Sequence, residues 1–143
     1  MVRYEDIRLS PGDALDISYE KYPNARIKEI ELELEAGSYV YEVEGYTDEK
    51  KFKIYIDSIS GNIIQSKEKV LKEKDIEITK ESTSNIKEIV NRVLQEAGAN
   101  SQLQEWSLKT RDGIPVLSIE LRLADSQKAK YRYNLTNNEL LIE

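Results

Sequence analysis

The chain reads as an α+β protein made of two similar units, each one α-helix packed on an antiparallel β-sheet of three to four strands. Three observations predict this. A capped helix start at Ser10 opens a stretch of helical spacing, the apolar period then falls to two, and the same order of signals returns about 75 residues later.

Ser10-Pro11-Gly12-Asp13 places a capping hydroxyl, a proline at the first helical position and an acid in the first turn. The helix is expected to run to about Tyr22, with Ala14, Leu15, Ser18, Tyr19 and Tyr22 at helical spacing, and to stop before Pro23. From Ile27 the alternation of Ile30, Leu32 and Leu34 with Glu29, Glu31, Glu33 and Glu35 predicts a half-buried strand. Ala36-Gly37-Ser38 is a turn. A second strand sets Tyr39, Tyr41 and Val43 against Val40, Glu42 and Glu44, and a polar turn runs from Gly45 to Lys50. A third sets Phe52, Ile54 and Ile56 against Lys51, Lys53 and Tyr55. The turn Asp57-Ser58-Ile59-Ser60-Gly61 then leads into a short strand at Asn62 to Gln65.

The second half repeats the order. Asn85 and Glu88 have capping-box spacing, and Ile86, Ile89, Val90, Val93, Leu94 and Ala97 form a wide apolar helix face that ends at Gly98. Trp106 and Leu108, then Leu117, Ile119, Leu121 and Leu123, then Tyr131, Tyr133 and Leu135 mark three strands, with turns at Arg111-Asp112-Gly113 and Thr136-Asn137-Asn138 before Glu139-Leu140-Leu141-Ile142. Ser10 aligns with Asn85, Gly37 with Gly113, Asp57 with Asn134 and Gly61 with Asn138, so the offset drifts only from 75 to 77 residues. The expected organisation is a first unit at residues 1–66, a charged connector at residues 67–84 and a second unit at residues 85–143. Val70, Leu71, Ile76 and Ile78 in the connector suit a helical extension, an extra strand or a partly ordered link equally well.

Composition narrows the chemistry. The 143 residues are 39% hydrophobic and 34% charged, enough for packed cores beneath a charged surface. Neither cysteine nor histidine occurs, which removes thiol catalysis, zinc-thiolate sites, Ser-His pairs and the usual base near neutral pH. A net charge of -6 opposes non-specific nucleic-acid binding. No apolar run is long enough to span a membrane, and Met1 to Asp6 do not resemble an export signal.

The first half resembles the PepSY domain family over residues 7 to 66. The resemblance lies in Glu20-Lys21-Tyr22-Pro23-Asn24-Ala25, Ile27-Lys28-Glu29-Ile30-Glu31-Leu32, Val40-Tyr41-Glu42-Val43, and Phe52-Lys53-Ile54-Tyr55-Ile56-Asp57 followed by Ser60-Gly61-Asn62-Ile63-Ile64. The second half reads as a divergent copy, in which Asn134 stands for the Asp, Asn138 for the Gly, and Gly98-Ala99-Asn100 for the Tyr-Pro-Asn stretch. Such domains occur in propeptides of thermolysin-type peptidases and in secreted or membrane-attached bacterial proteins. The resemblance therefore implies a non-catalytic module that binds or restrains a peptidase or another cell-envelope protein outside the cytoplasm, with any export signal or anchor outside this sequence.

No catalytic, metal or cofactor residue is assigned. Asp57 is expected to accept backbone N–H bonds in its turn, a role Asn134 can keep as an amide. Ser10 and Asn85 are expected as caps, and Gly61 and Asn138 as turn residues. The row Glu29, Glu31, Glu33 and Glu35 is expected to be a solvated strand face, since successive members lie about 7 Å apart. Partner-binding candidates are Tyr55, Lys53 and Glu42 in the first unit and Lys130 and Arg132 in the second, whose outer face gathers basic residues where the first gathers acids. The alternative expectation is a structural or ligand-binding domain that presents its sheet to a small molecule or wall polymer.

Overall fold

A computed structural model describes residues 2–70 and 77–141. The elements are α1 (Pro11–Lys21), β1 (Arg26–Glu35), β2 (Ser38–Tyr46), β3 (Lys50–Asp57), β4 (Ile63–Val70), α2 (Ile86–Ala97), β5 (Gln102–Arg111), β6 (Ile114–Arg122), β7 (Lys128–Asn134) and β8 (Glu139–Leu140). Short 3-10 turns at Tyr4–Asp6 and Glu81–Thr83 precede the two helices.

The first helix starts as its residues dictate. Ser10 Oγ accepts from the Asp13 backbone N–H at 3.1 Å while the Asp13 carboxylate accepts from the Ser10 N–H at 2.9 Å, a reciprocal cap with Pro11 at the first position. Asn85 does not cap α2 through its side chain, and the expected capping box is absent. Such a cap needs extended backbone, whereas the chain arrives from a 3-10 turn and Asn85 sits at φ -101°, ψ 2°.

The two expected sheets are one. All eight strands form a single antiparallel sheet in the order β4-β3-β2-β1-β5-β6-β7-β8, with β1 paired to β5. In two separate units β1 and β5 would each leave an open edge, and their pairing removes both. The core is likewise continuous. Leu15, Tyr41 and Ile54 from the first half and Val90, Trp106 and Ile119 from the second are all buried in one apolar cluster beneath α1 and α2, with the Trp106 and Tyr41 rings edge to face at 6.2 Å. Trp106 thus belongs to one core that both halves share.

Within this sheet the halves follow matching registers. Glu31 pairs with Ser107 at the middle of a seam of five residue pairs, from Glu29 with Lys109 to Glu33 with Glu105. The ladder to the next strand slips between Ile27 and Glu29 in β1 and between Leu103 and Glu105 in β5, at positions 76 residues apart. Both first hairpins turn on consecutive positive-φ residues, Ala36-Gly37 (48°, 83°) and Asp112-Gly113 (51°, 80°), the pattern of a two-residue primed turn. Gly61 (80°) and Asn138 (58°) share a left-handed backbone at the equivalent later turn.

The connector differs from a simple link. Lys67–Val70 continue β4, which is longer than the expected strand at residues 62–65, and buried Ile78 bridges back to Ile27 of β1. Leu71 and Ile76 lie outside the described residues, as does Ile142 at the far end. Gly45 and Tyr46, expected in a turn, belong to β2.

Candidate interaction surface

The helices cover one face of the sheet, and the opposite face is open. Strand alternation brings to it Glu42 and Glu44 of β2, Glu29, Glu31 and Glu33 of β1, and Glu105 of β5, because each adjoins a core residue of its strand. Glutamates stand directly opposite one another at Glu31–Glu42, Glu29–Glu44, Glu33–Glu105 and Glu105–Glu120. Like charges in such positions destabilise a sheet.

The carboxyls respond to this crowding. Burial pushes the Glu31 carboxyl up to about 9, with Glu105 and Glu42 adding to the effect and a hydrogen bond to Glu42 holding the proton. Glu33 is also raised, first by burial and then by Glu35 and Glu105. Glu29 is raised by burial, opposed by Lys109 at 3.6 Å. Carboxylate oxygens of Glu29, Glu31 and Glu42, and those of Glu31, Glu33 and Glu105, lie within 4.8 Å of one another, a spacing at which a hard cation could be held. The alternation in β1 showed the glutamate row but not its neighbours across the seam. Row members about 7 Å apart along one strand are faced by acids directly opposite them on β2 and β5, so the expected solvated face is a half-buried acidic centre.

Basic residues flank this centre. On one side Lys53 faces Lys67 and Lys51 faces Lys69 across β3 and β4. Lys53 reaches Glu44 at 3.0 Å and Glu42 at 3.5 Å, and these acids raise its ammonium above the usual range. On the other side lie Lys130, 3.8 Å from Glu120, and Arg132, opposite Ser118. The sign change therefore does not fall between the halves, as the sequence suggested. Pairing β1 with β5 gathers the acids in the middle and leaves bases toward both edges.

Of the candidate partner-binding residues, Tyr55, Lys53 and Glu42 lie side by side. Tyr55 is directly opposite Glu42, which hydrogen-bonds its hydroxyl and, after burial, raises it. Lys130 and Arg132 are on the same face, but between β3 and β7 lie β2, β1, β5 and β6, a separation of about 24 Å at ordinary strand spacing. The turn residues are local. Asp57 Oδ1 accepts from the Ile59 and Ser60 backbone N–H groups at 2.8 and 2.9 Å, which holds its carboxyl below the usual range, and Asn134 Oδ1 accepts from Thr136 N–H at 2.9 Å.

Residues 8–67 match the family described as the peptidase propeptide and YPEB domain, PepSY. The match covers the N-terminal part of the chain. No curated protein matches the chain. Among solved structures, a protein from Clostridium difficile 630 described as a candidate lipoprotein shares the fold, at a TM-score of 0.74 and 21% identity over 97% of this chain and 94% of that one. Among the described residues, no helix is long and apolar enough to cross a membrane.

Proposed function

We propose that the chain is a non-catalytic interaction module that works outside the cytoplasm and binds a protein, foremost a peptidase, through the open face of its sheet. The observation that carries this reading is the sorting of charge on that face. Four opposed glutamate pairs and two opposed lysine pairs crowd like groups together, which the Glu31 proton and the Lys53 and Lys130 ion pairs relieve only in part, and a surface that keeps them is explained by a partner of complementary charge. The PepSY match supports a peptidase as partner, and the shared fold with a candidate lipoprotein supports an extracytoplasmic location. The absence of histidine and cysteine from the sequence supports a role without turnover. Tyr55, Lys53 and Glu42 form one contact patch in this reading, and Lys130 and Arg132 a second. The partner is a protein, with neither nucleic acid nor cofactor required.

Residues 85–143 are, in the same reading, a second and divergent PepSY unit fused to the first at the β1–β5 seam. Matching bulges, primed turns and left-handed residues at offsets of 76 to 77 support a duplication.

Native mass spectrometry and pull-down of the purified chain with thermolysin-type peptidases and envelope proteins test the reading. A complex at tens of micromolar or tighter, weakened when Lys53 and Tyr55 are replaced by alanine, is the expected result. No association at that concentration removes it.

A further inference from the structure

We propose that the outer edge of β4 binds an extended acidic peptide as an additional strand, an inference that rests on reading the chain as a protein-binding module. β4 ends the strand order, so among the described residues its outer side pairs with no strand, and all eight of its residues are exposed. Every second backbone amide and carbonyl of such a strand points outward and is open to pairing. The only register slip against β3 lies between Tyr55 and Ile56, which leaves Gln65–Val70 regular.

Charge selects the occupant. Lys67 and Lys69 lie on the open face beside Lys53 and Lys51, and among the described residues Lys51, Lys67 and Lys69 have no carboxylate at ion-pair distance. A recess of about 240 Å³ lies against these lysines, with Glu44 and Phe52 also lining it. Carboxylates from an added strand would relieve the opposed lysine rows, whereas a second copy of β4 would place lysines against lysines. On the other face of β4, Ile63 is 39% and Val70 80% exposed, and apolar side chains alternating with the acids would cover them. Lysines on an edge are also a common guard against aggregation. A guard excludes strands in general and needs no recess, so the two roles separate by measurement.

The test uses the whole chain and a fluorescein-labelled octapeptide alternating Glu and Val, followed by fluorescence anisotropy. Saturable binding is expected, with little binding of the Lys and Val counterpart and at least a tenfold loss in the K67E/K69E variant, whose fold is checked by circular dichroism. Two further peptides carry N-methyl groups on alternate residues, one on the odd and one on the even positions. One should bind and the other should not, because only one set of amides faces β4. Equal binding by both would mean charge attraction without strand addition and would overturn the proposal, as would no binding of the unmodified peptide. A peptidase complex indifferent to K67E/K69E would also remove the β4 site while leaving the module reading intact.

Discussion

The Tyr39 hydroxyl donates a hydrogen bond to the Leu103 carbonyl at 2.7 Å, tying β2 of the first half to β5 of the second inside the core. Leu103 sits just past the end of the seam at the β5 bulge, where the ladder with β1 has stopped. Ile27, at the matching bulge in β1, has its carbonyl satisfied instead by the Ile78 N–H. One end of the seam is thus closed by the connector and the other by a tyrosine.

Tyr39→Phe leaves the buried Leu103 carbonyl without its donor and is expected to cost about 1–2 kcal/mol. Trp106→Ala is expected to cost about 3–5 kcal/mol by emptying the space beside Tyr41. Urea unfolding should remain a single transition for both variants, with near-coincident curves by far-ultraviolet dichroism and by protease resistance of each half. Separate transitions for the two halves would contradict a shared core.

Glu31 gives the sheet a distinctive pH dependence. Its folded value is raised to about 9 from an ordinary 4.5, so between those limits the folded state keeps a proton that the unfolded chain has released. The contribution to stability is therefore largest at low pH and declines as pH rises through this window. Glu31→Gln should remove the decline, with a gain over the parent of roughly 1–2 kcal/mol near pH 9 once solvent screening of a half-buried group is allowed for. A gain that did not grow between pH 5 and pH 9 would contradict the burial of Glu31 and its crowding by Glu105 and Glu42.

Asp57 has the opposite sign. Its carboxyl is lowered by the Ser60 and Ile59 N–H groups, so the stability it adds is present above its ordinary value and lost as pH falls through the folded one. Asp57→Ala is expected to cost about 1–2 kcal/mol at neutral pH, and Asp57→Asn less than half of that, because an amide oxygen can accept both bonds. Thermal melts of the two variants at pH 7 should rank in that order.

Ala36 is a non-glycine residue at φ 48° in the first hairpin, where the second hairpin has Asp112. Ala36→Asn would supply the Asn-Gly pair this turn favours and should stabilise the chain by about 0.5–1 kcal/mol, read as a rise in melting temperature. A fall would mean that the hairpin is not held in the primed conformation.

Much of the fold was legible because its signals are local. The Ser10-Pro11 start and the alternation of β1, β2, β3 and β6 need only the chain's own neighbours to be read. The same locality explains the Asn85 cap, which failed because the preceding turn arrives in helical backbone. The candidate contact residues Lys53, Glu42 and Tyr55 were placed on one face by alternation and adjacent hairpins. Glu105 was not associated with them, since no local pattern says which strand lies beside β1.

By itself the sequence determined the order of helices and strands, the side of each strand that faces the core, and the turns where glycine, asparagine and aspartate are needed, because periodicity and backbone preference act over a few residues. The tertiary structure alone decided that β1 and β5 are central and β4 is an edge. That pairing joins residues far apart in the chain, and it sets whether a charged row meets water, like charges or an open backbone.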